Sequence, residues 1–264
     1  MSNTSKTGSR KTTFVLSAIL VLLVLFALTV FVIIPAYNHY YITHIQYPVY
    51  GGMTDELKDS ELYKDLQSGK TICFLGDSIT SGAETNGIAW YHPLIPYIKG
   101  ERYNISRGGW MVYHLLEQKE QIPVADVYVI AIGVNDIVFS WGSYAAHTPE
   151  DFAERIGKLA ENIRSASPEA KIYFVSPWIY FDKDAECNER GVQYRAALND
   201  WCGKNGCICI DPEPVLESII NSENRDKYMF DYLHPNAPEG IGLYSYAVLK
   251  SNHDQTSSTL PQDK

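Results

Sequence analysis

The sequence predicts a three-layer α/β/α domain built on a mainly parallel five-stranded sheet and preceded by one transmembrane helix. Two observations favour this fold class. Residues 14–36 carry no charge and are long enough, at a rise of about 1.5 Å per residue, to span the hydrocarbon core of a bilayer. Further along the chain, five short apolar runs alternate with segments of helix length. Runs that are apolar on both faces are typical of a parallel sheet covered by helices.

The N-terminal apolar run is interpreted as a retained membrane anchor. Secretory signal peptides have an apolar region of about 7–15 residues and a small-residue cleavage site, whereas this run is longer and ends in Ile-Ile-Pro-Ala-Tyr. Lys6, Arg10 and Lys11 precede the run, and residues 37–50 contain no lysine or arginine. The positive-inside rule therefore predicts that residues 1–13 form a cytoplasmic tail and that the rest of the chain lies outside the cytoplasm.

The remaining chain divides into three predicted segments. Residues 37–69 are polar and irregular, and we interpret them as a juxtamembrane connector with one short helix near residues 55–66. A globular domain is predicted over residues 70–250, followed by a flexible tail at residues 251–264. The domain's strands are predicted at residues 71–75, 103–105, 127–132, 171–176 and 207–211.

Residues 149–166 give the strongest helix prediction. Thr148 is suited to the N-cap, Pro149 to the first helical position, and Asp151 stands at the third. Apolar side chains then recur at helical spacing, at Phe152, Ile156, Leu159 and Ile163. Further helices are expected near residues 110–120, 187–204 and 238–250. This alternation of strands and helices places a ligand site at the carboxyl ends of the strands.

Composition excludes several classes of function. The 264 residues are 45% hydrophobic and 20% charged, which is ordinary for a globular protein. A net charge of -9 argues against nucleic acid as a partner, because phosphate binding needs a basic surface. The chain has no Gly-rich phosphate loop, no HExxH and no CxxC, so we predict neither a metal nor a cofactor. Six histidines are interpreted as surface or packing residues: His39, His44, His92, His114, His147 and His253.

Five cysteines leave at least one thiol free, since the count is odd. Cys73 lies in an apolar run and is interpreted as a core residue. Cys202 and Cys207 flank a Gly-Lys-Asn-Gly turn, and a disulfide between them is one alternative in an oxidising compartment.

A serine follows the first predicted strand, in the sequence Gly-Asp-Ser-Ile-Thr at residues 76–80. The serine, Ser78, is placed at a turn from strand to helix on the carboxyl edge of the sheet. Backbone amides at such a turn stabilise an alkoxide or an oxyanion. Taken alone, the string is more typical of a turn or helix-capping serine than of a nucleophile.

Asp231 and His234 lie three residues apart near the end of the domain, in the string Asp-Tyr-Leu-His-Pro-Asn. A histidine can accept the proton of a nucleophilic serine, and a carboxylate can hold the other ring nitrogen in the required tautomer. The spacing allows the contact between Asp231 and His234 to form within one loop. A surface turn with two solvated side chains is the alternative.

Two further segments follow predicted strands and offer hydrogen-bond donors. Asn135, in Gly-Val-Asn-Asp, comes after the third strand and has a side-chain amide. Gly108 and Gly109 come after the second strand, where a glycine lets a backbone amide approach a ligand closely. Each segment alone is more typical of a turn than of a site.

Taken together, the four segments resemble the blocks of the SGNH/GDSL hydrolases, which have a flavodoxin-like fold. The resemblance extends from residue 71 to about residue 250. It implies that Ser78 is the nucleophile, His234 the general base and Asp231 the residue that orients it. The oxyanion donors that it implies are the amide of Ser78, the amide of Gly109 and the side chain of Asn135.

Two positions depart from a simple match. Gly108 and Gly109 compete for the glycine role, and Gly109 is preferred from its distance to Asn104. Thr80 stands where the Gly-x-Ser-x-Gly elbow of the α/β-hydrolases has its second glycine, so that elbow is not the template.

The expected function is a membrane-anchored serine esterase that removes short acyl groups, most simply acetyl, from carbohydrate. An acyltransferase or a lipase or lysophospholipase with the same triad is an alternative, and an inactive carbohydrate-binding module is an alternative of another class. Aromatic residues that either line a cleft or pack in the core are Trp141, Tyr144, Trp178, Tyr180 and Phe181.

Overall fold

The computed structural model describes residues 5–34, 36–37, 47–178 and 185–259. The chain divides into two compact units, Met1–Ile45 and Gln46–Lys264. In the first unit, helix α1 (Ser5–Leu28) continues as a π-helix over Thr29–Ile33. Within it, Phe14–Ile33 has a mean hydropathy of 3.1, so its length and composition suffice to cross a membrane. A signal sequence has the same two properties, and the helix alone fixes no orientation.

The second unit contains a five-stranded sheet in the order β2-β1-β3-β4-β5, with every neighbouring pair parallel. This confirms the predicted fold class. Each strand end lies within one residue of its predicted position. The strands are β1 (Ile72–Gly76), β2 (Arg102–Ser106), β3 (Val127–Ala131), β4 (Lys171–Val175) and β5 (Ile208–Ile210).

The helices alternate with these strands. They are α2 (Asp55–Asp59), α3 (Glu61–Gln67), α4 (Ser78–Ser81), α5 (Val112–Glu117), α6 (Val134–Val138), α7 (Pro149–Ala166), α8 (Ala185–Asn205), α9 (Glu213–Ile219), α10 (Arg225–Tyr228) and α11 (Glu239–Thr259). Short 3₁₀ helices cover Ala83–Thr85, His92–Tyr97 and Lys119–Gln121.

Adjacent residues of β4 contact helices on opposite faces of the sheet. The ring of Phe174 packs edge-on against Trp201 of α8, with ring centroids 6.1 Å apart. The hydroxyl of Tyr173 donates a hydrogen bond of 2.6 Å to Asp65 of α3. Since successive side chains of a strand point to opposite faces, α8 and α3 form the two outer layers of the sandwich.

Helix α7 has the predicted bounds. The Thr148 hydroxyl accepts a hydrogen bond from the Asp151 amide at 3.1 Å and so caps the first turn. The predicted apolar stripe of this helix is buried, at Phe152, Ile156, Leu159 and Ile163. Burial of four such side chains stabilises the helix more than its propensity does.

The predicted connector differs from the structure over its second half. Instead of one helix at residues 55–66 there are two, because Ser60 is extended (φ -61°, ψ 145°) and its hydroxyl accepts from the Tyr63 amide to start α3. Leu57 and Leu66 are fully buried in the core of the second unit. This unit therefore includes residues that the sequence analysis assigned to a linker.

The predicted flexible tail is also wrong for residues 251–259, which continue α11 as far as Thr259. Asn252 is fully buried, and its side-chain oxygen accepts a 2.8 Å hydrogen bond from the Leu62 amide. This long-range contact ties the polar sequence after Lys250 to helix α3.

All five cysteines are buried and carry free thiols, so the alternative of a bond between Cys202 and Cys207 is not realised in the structure. The guanidinium group of Arg164 donates to Cys207 Sγ at 3.1 Å.

Candidate active site

Ser78 is the first residue of α4, directly beyond the carboxyl end of β1. The carboxylate of Asp77 caps the helix by accepting a 3.1 Å hydrogen bond from the Ile79 amide. A Cβ atom at Gly76 would collide with the Thr80 side chain and the Ala131 carbonyl, so the turn requires glycine there. Ser78 is 5% exposed, and its amide is at a helical position that has no intrahelical acceptor.

A chain of two hydrogen bonds joins the serine to the predicted histidine and carboxylate. Ser78 Oγ lies 2.7 Å from His234 Nε2, and His234 Nδ1 lies 2.8 Å from Asp231 Oδ2. When the ring proton is on Nδ1, it is donated to Asp231 and leaves Nε2 free to accept the serine hydroxyl. The structure thus brings together three side chains that the sequence analysis had selected from distant segments.

The loop that carries Asp231 and His234 is held by its own hydrogen bonds. Asp231 Oδ1 accepts from the amides of Leu233 and His234, both at 2.7 Å. The Phe230 amide donates to the His234 carbonyl at 2.8 Å and closes the loop. Burial opposes ionisation of Asp231, but the hydrogen bonds from His234 and Leu233 outweigh it and lower its pKa below the usual range. Asp231 is therefore a carboxylate at neutral pH.

Gly109 and Asn135 follow the two strands that flank β1. Gly76 is level with Ser106 in β2 and with Ala131 in β3, so both loops begin at the same edge of the sheet as the turn of Ser78. Gly109 has φ +77°, a conformation that favours glycine, in a turn closed by a 3.2 Å hydrogen bond from the Trp110 amide to the Arg107 carbonyl.

The side-chain amide of Asn135 is fixed by a hydrogen bond. Asn135 is buried in α6, and its Nδ2 donates to the Trp110 carbonyl at 2.9 Å. A carboxamide nitrogen carries two hydrogens, and this contact uses one of them. It also ties the segment of Asn135 to the turn of Gly109.

Two buried carboxylates lie next to the predicted site residues and were not assigned a role from the sequence. Asp136 Oδ2 accepts from the Val112 amide at 3.1 Å, and Asp136 Oδ1 accepts from the Ala146 amide at 2.9 Å. Burial raises the pKa of Asp136 to about 6. Burial also raises the pKa of Asp77 to about 7, and the charge of Asp136 adds to that shift. The only signal in the sequence was their position beside Ser78 and Asn135.

A small cleft adjoins Ser78 and His234 on one side. Its walls include the apolar side chains of Ile79, Ile88 and Ile241. The free volume of the cleft is about 10 Å³, close to the space that one water-sized group needs. A methyl group is of that size.

Exposed aromatic rings lie close to Asn135. The Phe139 amide donates to the Asn135 carbonyl at 2.9 Å, and the Phe139 ring meets Trp141 edge-on at 6.1 Å. Trp141 is 81% exposed. Tyr144 is also exposed and stacks on Tyr113 with ring centroids 4.8 Å apart.

Of the other aromatic residues singled out in the sequence, Trp178 is a core residue, 2% exposed. Tyr180 and Phe181 lie outside the described residues.

Among the described residues, one group of side chains has the spacing of a metal site, formed by Glu56, His253 and Asp254. The ammonium group of Lys250 contacts Glu56 at 3.1 Å and Asp254 at 2.5 Å, which supplies a positive charge to this group. Another histidine, His92, is buried and is not part of this group. Its Nδ1 accepts a hydrogen bond from the Ala89 amide at 2.7 Å, and burial lowers the pKa of His92 to about 4. His92 is thus a neutral packing residue.

Comparisons with known proteins agree with this architecture. A model of the GDSL-like lipase/acylhydrolase family matches residues 74–238. Similar solved structures include Axe2, an acetylxylan esterase from Geobacillus stearothermophilus, with a TM-score of 0.59 and 16% identity over 71% of this chain and 96% of that one. A GDSL-like lipase from Parabacteroides merdae has a TM-score of 0.60 and 20% identity over 70% of this chain and 95% of that one. No curated protein sequence matches the chain.

Proposed function

The chain belongs to the GDSL-like lipase/acylhydrolase family and is a serine ester hydrolase, and we propose that it removes short acyl groups, acetyl above all, from carbohydrate outside the cytoplasm. Ser78 is the nucleophile, His234 the general base and Asp231 the residue that orients the imidazole. The observation that carries the proposal is the unbroken chain of hydrogen bonds from Asp231 through His234 to Ser78 Oγ.

The proposed reaction has two steps. Ser78 Oγ attacks the ester carbonyl while its proton passes to His234 Nε2, and the alcohol leaves with that proton as the tetrahedral intermediate collapses. Water then attacks the acyl-serine, again giving a proton to His234, and the carboxylic acid leaves as Ser78 recovers its hydroxyl hydrogen. Asp231 stabilises the imidazolium ion in both steps and does not itself take the proton.

Charge that develops on the carbonyl oxygen needs donors that are already in place. We assign this role to the amides of Ser78 and Gly109 and to the second Nδ2 hydrogen of Asn135. Preorganised donors of this kind are worth about 3–4 kcal/mol each in a site that excludes water. The bond from Asn135 to the Trp110 carbonyl supports the assignment, because it removes the rotational freedom of the side chain before substrate arrives.

A short acyl group is favoured by the cleft beside Ser78. The apolar side chains in its walls and its volume of about 10 Å³ suit the methyl group of an acetyl ester. The solved structures of similar fold include Axe2, which is described as an acetylxylan esterase and as an acetyl-xylooligosaccharide esterase, and this supports acetyl on carbohydrate as the substrate class.

The alcohol part of the substrate is proposed to lie on the aromatic side of the site. Trp141 and Tyr144 are exposed there, and aromatic faces are good surfaces for the C–H faces of sugar rings. Their position next to the segment of Asn135 would hold the sugar while the acyl group enters the apolar cleft.

Helix α1 is proposed to anchor the enzyme in the membrane with its N-terminus in the cytoplasm. Support comes from the uncharged stretch Phe14–Ile33 and from Lys6, Arg10 and Lys11 before it.

The test of this function uses the full-length chain in detergent with p-nitrophenyl esters of increasing acyl length and with acetylated xylo-oligosaccharides. We expect turnover of the acetate, a steep loss with longer chains, and release of acetate from the oligosaccharide. Preference for long chains would indicate a lipase, and transfer to an added sugar hydroxyl would indicate an acyltransferase. Absence of turnover would favour a binding module. The Trp141→Ala variant should raise KM for the oligosaccharide and leave the p-nitrophenyl acetate kinetics unchanged.

A further inference from the structure

We propose that Asp136 is a positioning residue that holds the loops of Gly109 and Asn135 together so that both oxyanion donors are aimed at one point. The inference rests on the proposed function, since it concerns the donors of that reaction. Asp136 itself makes no contact with the substrate and acts through its neighbours.

One carboxylate joins three segments of the chain. Asp136 belongs to α6 and is completely buried. Its Oδ2 accepts from the amide of Val112, the first residue of α5, and its Oδ1 accepts from the amide of Ala146, in the segment that leads to α7. Val112 comes three residues after Gly109, so the first bond holds the segment that directly follows the glycine turn.

Asn135 and Asp136 attach α6 to the same short segment at two points. Asn135 Nδ2 donates to the carbonyl of Trp110, and Asp136 Oδ2 accepts from the amide of Val112. A single bond would leave α6 free to turn about it. Here α6 donates one hydrogen bond and accepts another, at backbone positions two residues apart. Together the two bonds fix both the distance and the rotation between α6 and the segment after Gly109.

The carboxylate is costly to bury, and this cost argues for a role that a neutral residue cannot fill. The pKa of Asp136 is raised to about 6 by burial, although two backbone amides and the charge of Arg155 favour the ionised form. A carboxylate has two acceptor oxygens, whereas the isosteric carboxamide has one oxygen and one NH₂ group. Asparagine at this position would turn one of the two accepting contacts into a clash between donors.

The test measures kcat, KM and thermal unfolding on single preparations of the full-length enzyme with p-nitrophenyl acetate. For Asp136→Asn we expect kcat to fall about 10-fold to 100-fold with KM nearly unchanged, because misaligned donors affect the transition state most. In an Asn135→Ala background the same substitution should cost clearly less than it does in the unsubstituted enzyme, since one of the two donors that Asp136 positions is already gone.

A second variant removes the backbone amide of Val112 that donates to Asp136, and leaves the carboxylate in place. It tests the positioning role if Asp136→Asn does not fold. Val112→Pro deletes the donating amide at the first position of α5, where proline is well tolerated. Proline favours an extended residue before it, and Met111 is extended (φ -111°, ψ 171°). We expect the same loss of kcat for Val112→Pro.

Asp65→Asn is the matched control, because Asp65 is a buried carboxylate that accepts from Tyr173 and Lys70 outside the site. It should lower the unfolding temperature without changing kcat. The proposal is overturned if Asp136→Asn or Val112→Pro retains the kcat of the unsubstituted enzyme, or if the effects of Asp136→Asn and Asn135→Ala on kcat multiply. Failure of the proposed function would look different, as the unsubstituted chain would then show no turnover.

Discussion

Asp231 uses both of its carboxylate oxygens on His234. Oδ2 lies 2.8 Å from the ring Nδ1, and Oδ1 accepts from the backbone amide of the same residue at 2.7 Å. The acid and the base therefore form a unit within a single loop, and the ring can face Ser78 in only one tautomer.

Asp231→Asn should lower kcat by about 10²–10⁴-fold with little effect on KM, because a carboxamide no longer fixes the ring tautomer or stabilises the imidazolium ion. Steady-state kinetics with p-nitrophenyl acetate would measure this loss. Asp226→Asn is a control from the same region, since the side chain of Asp226 is 93% exposed. A kcat within about threefold of the unsubstituted enzyme would exclude Asp231 from the proposed role.

Asn135→Ala should lower kcat by about 10²–10³-fold and raise KM far less, since an oxyanion donor is worth most in the transition state. Asp136 would be the obvious neighbouring control, but its carboxylate bonds two backbone amides. Exposed Asn199 on α8 is the better control. If Asn135→Ala lowers only thermal stability and the folded enzyme keeps its kcat, Asn135 is a turn residue and not a donor.

Asp77→Asn should change how stability depends on pH. The pKa of Asp77 rises on folding from 3.8 to about 7, so the folded state binds the proton more tightly than the unfolded state between these values. The free energy of unfolding therefore falls as pH rises through this window. Asparagine keeps the capping oxygen for the Ile79 amide and cannot ionise.

We expect the loss of stability between about pH 4.5 and about pH 7.5 to be smaller in Asp77→Asn, as measured by urea unfolding. Part of the loss should remain, because the pKa of Asp136 is also raised, to about 6. Parallel pH profiles for the two proteins would contradict the assignment of a buried, readily protonated Asp77.

Protease added to intact cells should remove the domain that follows helix α1, if the chain is anchored with its N-terminus in the cytoplasm. Immunoblotting with antibodies against each end of the chain would follow the cleavage. Full protection of the domain would contradict the orientation, and recovery of a soluble chain that lacks Phe14–Ile33 would contradict retention of the anchor.

The elements that could be predicted from the sequence are those whose signal is local. Four strands were found because each is a short apolar run, β2 because Tyr103 and Ile105 alternate with polar residues, and α7 because its cap and its apolar stripe lie within one segment. The extension of α11 depends on a contact between Asn252 and Leu62, which are 190 residues apart. No local pattern carries that information.

The same distinction applies to the site. Ser78, Gly109 and Asn135 could be selected because each follows a strand of one parallel sheet, whose carboxyl ends meet at one edge. The carboxylate of Asp136 could not be placed, because its partners Val112 and Ala146 lie in two other segments. Its contacts depend on how those segments pack.

The central claim, that Ser78 is the nucleophile, is tested most directly by labelling the full-length chain with an organophosphonate and mapping the modified peptide. Two nearby serines have hydroxyls that are already engaged: Ser81 Oγ donates to the Ser78 carbonyl at 3.1 Å, and Ser106 Oγ donates to Asn104 at 2.5 Å. Ser78 Oγ, by contrast, lies 2.7 Å from His234 Nε2. We predict a single label on Ser78, and no label and a loss of several orders of magnitude in kcat for Ser78→Ala. A label on Ser81 or Ser106, or undiminished turnover by Ser78→Ala, would contradict it.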